Sequence, residues 1–144
     1  SLLLSHGFPS WLYSVDQGAT TVWERWNSYT VKDGFGPVGM NSFNHYAYGA
    51  IVNWMFRTMA GIGQLPHEAG FRKFLLAPVP DRRMGHVTAT YRTPQGVIRS
   101  SWRYDESGTW TWTYEIPEGT VADVLLPGEK AARRYGPGKY EIQK

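Results

Sequence analysis

The sequence predicts an α+β chain in which a helical part gives way near residue 70 to an antiparallel β-sandwich. Three observations predict it. The stretch "MNSFNHYAYGAIVNWMFRTMAGIG" repeats apolar residues at helical spacing, the later half alternates apolar and polar residues in short runs, and "TPQG", "DESG" and "PEGT" separate those runs with tight-turn chemistry.

Pro9, followed by "SWLYSVDQ" and then Gly18, sets Pro at a helix start and Gly just past its end, so a short helix is expected over about 9 to 17. Residues 18 to 40 contain Gly18, Gly34, Gly36, Pro37 and Gly39, which reads as a long loop with one short ordered piece around Val22 to Trp26. A helix is expected over about 42 to 60, capped by Asn41 or Ser42 and closed at Gly61. Phe43, Tyr46, Ala47, Ala50, Ile51, Trp54, Met55 and Thr58 share one face, and Tyr48, Val52 and Phe56 lie on another. Such a helix is buried on most sides, and most of its partners are expected upstream of Ser1. Strands are expected in "FRKFLLAPV", "GHVTATYR", "VIRSSWRY", "TWTWTYEI", "VADVLLP" and "GPGKYEI". The domains are accordingly placed at 1–70 and 71–144.

Length and composition narrow the function classes. A chain of 144 residues with 42% hydrophobic residues folds as a soluble globular piece, and no apolar run is long enough to span a bilayer. Residues 1–70 carry net charge −1 and residues 71–144 net +4, with the basic residues dispersed rather than clustered, which argues against a nucleic-acid partner. Cysteine is absent, which excludes disulfides, thiolate metal sites and a Cys nucleophile. The 4 His lack metal-ligand spacing, so no metal or other cofactor is expected. The opening "SLLLSHGFPSW" has neither Met nor a basic leader and reads as the interior of a longer chain, which leaves the compartment open.

Glu24, in "TTVWERWN", lies between Trp23 and Trp26 with Arg25 beside it. In an extended run Glu24 and Arg25 point to opposite faces, so Arg25 need not neutralise it. Among such residues a solvated Glu with its stem on a ring is the commoner arrangement; a base in an aromatic sugar site is the sharper alternative. His45 falls in the first turn of the expected long helix, where the dipole favours a neutral imidazole able to donate at one nitrogen and accept at the other. A histidine bonded to a nearby carbonyl is the plainer reading. The stripe Trp110, Trp112, Tyr114 fits the inner face of a sandwich, or else a platform on a carbohydrate-binding or structural module. Phosphate-loop, dinucleotide and GxSxG motifs are absent.

"PSWLYSVDQGATTVWERWN", "GMNSFNHYAYGAIVNWMFRTMAGI", "GFRKFLLAPVP" and "IPEGTVADVLLP", in this order, resemble the C-terminal end of the bacterial and fungal α-L-rhamnosidases. The resemblance covers nearly the whole chain and rests chiefly on "GATTVWERW" and "MNSFNHYAYG". It implies the last helices of a catalytic (α/α)6 barrel followed by a C-terminal β-sandwich. It also implies part of an inverting hydrolase acting on terminal α-L-rhamnose, with no metal in the chemical step and with rhamnosides and the upstream barrel as partners. Matched onto the family's motifs, Glu24 takes the role of general base, His45 bonds the sugar near the attacking water, and Trp23 and Trp26 are candidate walls of the sugar pocket. The general acid belongs to an earlier motif that this sequence does not contain, so the 144 residues alone are expected to be inactive. Where the family commonly has Asp after "WERW", this chain has Asn27, and neither Asp16 nor Asp33 is assigned as its replacement.

Overall fold

A computed structural model describes residues 2–144, and the chain divides between Val52 and Asn53 into two compact units. In the first unit, helix α1 (Trp11–Asp16) starts where buried Ser10 caps it, the Ser10 Oγ accepting the Tyr13 amide at 3.0 Å. Helix α1 lies within the expected span. The long loop contains a small antiparallel ribbon of β1 (Tyr29–Thr30) and β2 (Gly34–Phe35).

The long helix expected over 42 to 60 is shorter and of changing pitch. A 3-10 turn at Ala47–Ala50 leads into α2 (Ile51–Trp54) and then a π turn at Met55–Met59, in which the Ala60 amide donates to the Met55 carbonyl at 2.9 Å. Two causes are visible. Residues 40 to 45 spend their backbone groups on the stretch 21 to 25, so Asn41 and Ser42 cannot open a helix. Gly49 and the branched or aromatic Ile51, Val52, Trp54 and Thr58 hold a regular α-helix weakly without packing on every side. That packing is missing among the described residues: Tyr46, Val52 and Trp54 are exposed.

The second unit is the expected sandwich. It is built from β3 (Ile62–Gln64), β4 (Lys73–Leu76), β5 (His86–Thr93), β6 (Gly96–Tyr104), β7 (Trp110–Ile116), β8 (Val121–Val124), β9 (Arg133–Tyr135) and β10 (Gly138–Gln143). One sheet runs β10-β7-β6-β5, antiparallel throughout, and the other β3-β4-β8-β9. Within the second sheet β4 and β8 are parallel, because the chain between them leaves to build the other sheet and re-enters from the same end. Strands β3 and β9 carry too few alternating residues to be read from sequence, and β3 brings the start of the sandwich upstream of residue 70.

The core lies between the sheets, with Ile98, Trp102, Trp110, Trp112, Tyr114 and Ile116 from one and Ile62, Phe74, Leu76, Ala122 and Val124 from the other. The Trp110, Trp112, Tyr114 stripe therefore belongs to this core: Trp112 is fully buried, and no glycan platform exists on that face. The end of the π turn is tied into the same core. Its terminal carbonyls have no helical donors left, and the sandwich supplies them: Trp102 Nε1 donates to the Met59 carbonyl at 2.7 Å and Ser100 Oγ to that of Ala60 at 2.6 Å. Ser100 Oγ in turn accepts Trp112 Nε1 at 3.0 Å.

Candidate active site

The aromatic residues around Glu24 act first as anchors. Trp23 is buried, edge-on to Phe43 with centroids 5.3 Å apart and to Tyr29 at 6.5 Å. Trp26 stacks on Tyr48 at 4.4 Å, and Trp11 of α1 meets both rings edge-on. With residues 23 and 26 pinned, the chain between them has little freedom.

Residues 21 to 25 and 40 to 45 then run side by side. The His45 amide donates to the Val22 carbonyl and the Glu24 amide to the Ser42 carbonyl, both at 2.8 Å. Thr21 Oγ1 donates to the Phe43 carbonyl, and Arg25 Nη2 to that of Met40. Asn41 Nδ2 donates to the Ser28 carbonyl at 3.0 Å, which fixes the following residue, Ser42. This pairing brings Glu24 and His45, 21 positions apart in the sequence, onto neighbouring segments.

Glu24 is half-buried, and its Oε2 accepts the Ser42 amide at 2.7 Å. Among the described residues it forms no ion pair, and Arg25 reaches Met40 instead; the two residues lie in a bend that opens the Arg25–Ser28 turn, not in the expected extended run. One carboxylate oxygen is thus fixed by a backbone donor while Oε1 remains to accept a proton. His45 Nδ1 accepts the Ala47 amide at 3.1 Å, an arrangement that leaves the ring proton on Nε2, the nitrogen able to donate to a ligand. The ring lies parallel to that of Tyr46 at 5.0 Å. His45 precedes the first helical turn rather than sitting inside it, so the Ala47 amide, and not a long helix dipole, sets its tautomer.

Trp23 and Trp26 are placed differently from Glu24 and His45. Both line a groove of about 240 Å³ with Trp11, Thr21, Arg25 and Tyr48, and neither Glu24 nor His45 borders that groove. Asn27 is exposed. Asp16 is bonded to His6 at 2.7 Å, and Asp33 Oδ2 accepts the Thr30 hydroxyl at 3.3 Å, so both carboxylates are engaged away from Glu24. No group of three or more His, Cys, Asp or Glu able to hold a metal ion occurs among the described residues. Sequence reasoning missed the Ser42 amide and the Arg25 contact, because a backbone donor leaves no mark in residue identity.

Comparison with known proteins covers both units. Residues 1–59 match the bacterial alpha-L-rhamnosidase 6 hairpin glycosidase domain, and residues 61–141 the bacterial alpha-L-rhamnosidase C-terminal domain. An alpha-L-rhamnosidase of Formosa agariphila is 43% identical over 130 residues, which is 90% of this chain and 14% of that protein. One from Alteromonas sp. is 45% identical over 126 residues, 88% of this chain and 13% of that protein. The crystal structure of Streptomyces avermitilis alpha-L-rhamnosidase complexed with L-rhamnose superposes with a TM-score of 0.86 at 34% identity, covering 99% of this chain and 15% of that one. The chain thus spans a small C-terminal share of its relatives' length, and by the match of both its parts it belongs to the bacterial alpha-L-rhamnosidase family.

Proposed function

We propose that the chain is the C-terminal part of an inverting glycoside hydrolase that releases terminal α-L-rhamnose, with Glu24 as its general base. The observation that carries this reading is the Glu24 carboxylate, unpaired with any cation among the described residues and oriented by the Ser42 amide at 2.7 Å, on a segment paired with the one bearing His45. Glu24 Oε1 takes a proton from a water as that water's oxygen bonds to the anomeric carbon, and the glycosidic bond breaks on the opposite face. His45 Nε2 donates to a sugar hydroxyl beside that water. The leaving oxygen takes its proton from a second carboxyl group, about 6.5 to 9.5 Å from Glu24, on chain upstream of Ser1. In this reading the first unit completes an (α/α)6 barrel with that upstream chain, and the second unit is the C-terminal sandwich.

The test is Glu24→Gln in the full-length parent enzyme. The change keeps the shape and removes the basic oxygen pair, so kcat on an aryl α-L-rhamnoside is expected to fall by at least about 100-fold, the scale of general-base catalysis. A variant retaining near-normal turnover rejects the assignment.

A further inference from the structure

We infer that Arg25 is a positioning residue for Glu24, acting through the Met40–Ser42 backbone. The inference rests on the reading of Glu24 as the base. Three contacts form one chain: Arg25 Nη2 donates to the Met40 carbonyl, Met40 leads through Asn41 to Ser42, and the Ser42 amide donates to Glu24 Oε2 at 2.7 Å. Arg25 and Glu24 are adjacent, and both side chains reach the same partner stretch, the guanidinium at the Met40 carbonyl and the carboxylate at the Ser42 amide. The backbone of Arg25 is itself fixed, its amide donating to buried Ser28 Oγ at 3.2 Å and its carbonyl accepting the Ser28 amide at 3.1 Å. The guanidinium therefore adds a side-chain tie to two stretches that the backbone bonds of Glu24 and His45 already pair.

Two features set this apart from ordinary packing. Arg25 Nε is buried with no hydrogen-bond partner among the described residues, so the side chain is held there against its own hydrogen-bonding preference. The Arg25–Met40 bond is itself exposed, so it adds little to stability. What the contact adds, beside the Glu24 amide on the Ser42 carbonyl and Asn41 on Ser28, is a hold on Met40 at the start of the stretch that presents the Ser42 amide to Glu24. A base displaced by about 1 Å from the attacking water loses on the order of 100-fold in rate, so a tie of this kind is felt in turnover rather than in stability.

The test is a double-mutant cycle in the full-length parent enzyme with an aryl α-L-rhamnoside. Arg25→Met is expected to lower kcat about 10- to 100-fold with KM within about threefold, because the base is misplaced and the sugar contacts are kept. In a Glu24→Gln background the same change is expected to alter kcat by less than about threefold, since there is no base left to misplace. Arg25→Lys keeps a donor for the Met40 carbonyl and is expected to recover most of the lost rate. Should Arg25→Met not fold, the cycle is run with Arg25→Lys, whose smaller loss must likewise vanish in the Glu24→Gln background. Equal losses in both backgrounds, an unchanged kcat, or an effect confined to KM overturns the positioning role while leaving the base intact. A Glu24→Gln enzyme of normal turnover removes the base, and the positioning role with it.

Discussion

Ser100 has no accessible surface and serves both neighbours, donating to the Ala60 carbonyl and accepting Trp112 Nε1. Ser100→Ala leaves a buried acceptor and a buried donor unpaired, so a loss of about 2 kcal/mol or more is expected in chemical denaturation followed by tryptophan fluorescence. Gly61 is constrained by space as well as by its φ of +76°: a Cβ there falls 2.1 Å from the Pro78 nitrogen. Gly61→Ala is therefore expected to cost at least about 2 kcal/mol in the same assay, from left-handed strain plus backbone displacement. The position of Gly61 was legible, because a helix closing on glycine is a local signal. The role of Ser100 was not, since its partners lie 40 residues upstream and on the next strand. Glu24 falls between these cases. It forms no pair with Arg25, but the two lie in a bend rather than an extended run; burial logic alone favoured a solvated side chain, and the motif resemblance singled it out.

At the scale of elements, strands β5, β6, β7 and β10 were legible because each is long enough to alternate and each ends in a turn with its own chemistry. Strands β3 and β9 are three residues long and exist only through their neighbours in the sheet. The long helix shows the opposite failure. Its apolar periodicity is real, yet residues 40 to 45 pair with the Glu24 stretch, and tertiary pairing overrides a weak local preference. The misread part is the part that carries the candidate site, and candidate sites are where local rules are expected to fail. One consequence concerns Trp112, which packs on Tyr114 at 4.5 Å and on Trp110 at 5.8 Å. Trp112→Ala opens the centre of the sandwich and is expected to cost about 3 to 5 kcal/mol.

Across the whole molecule, charge acts on stability. The Arg83 guanidinium and backbone amide hold the Asp81 carboxyl down at about 2, and Arg134 lowers Asp123 through its side-chain bonds, as the Ser107 hydroxyl and Thr109 amide lower Asp105. Carboxyls lowered in the folded state stabilise the protein above their unfolded range, about pH 4, and lose that contribution at lower pH, for Asp81 as pH falls through about 2. Melting temperature is therefore expected to drop over that window, and Asp81→Asn to flatten the drop; a variant with the wild-type acid profile contradicts the assignment. The pairing of residues 21 to 25 with 40 to 45 supports the proposal that Glu24 is the base of an inverting reaction. Its most direct test is the full-length Glu24→Ala enzyme with sodium azide and an aryl α-L-rhamnoside, the product identified by NMR. Azide needs no base, so turnover is expected to return with β-L-rhamnosyl azide as the product, the anomeric carbon inverted by direct attack. The α-azide, or near-normal hydrolysis without azide, would contradict the account.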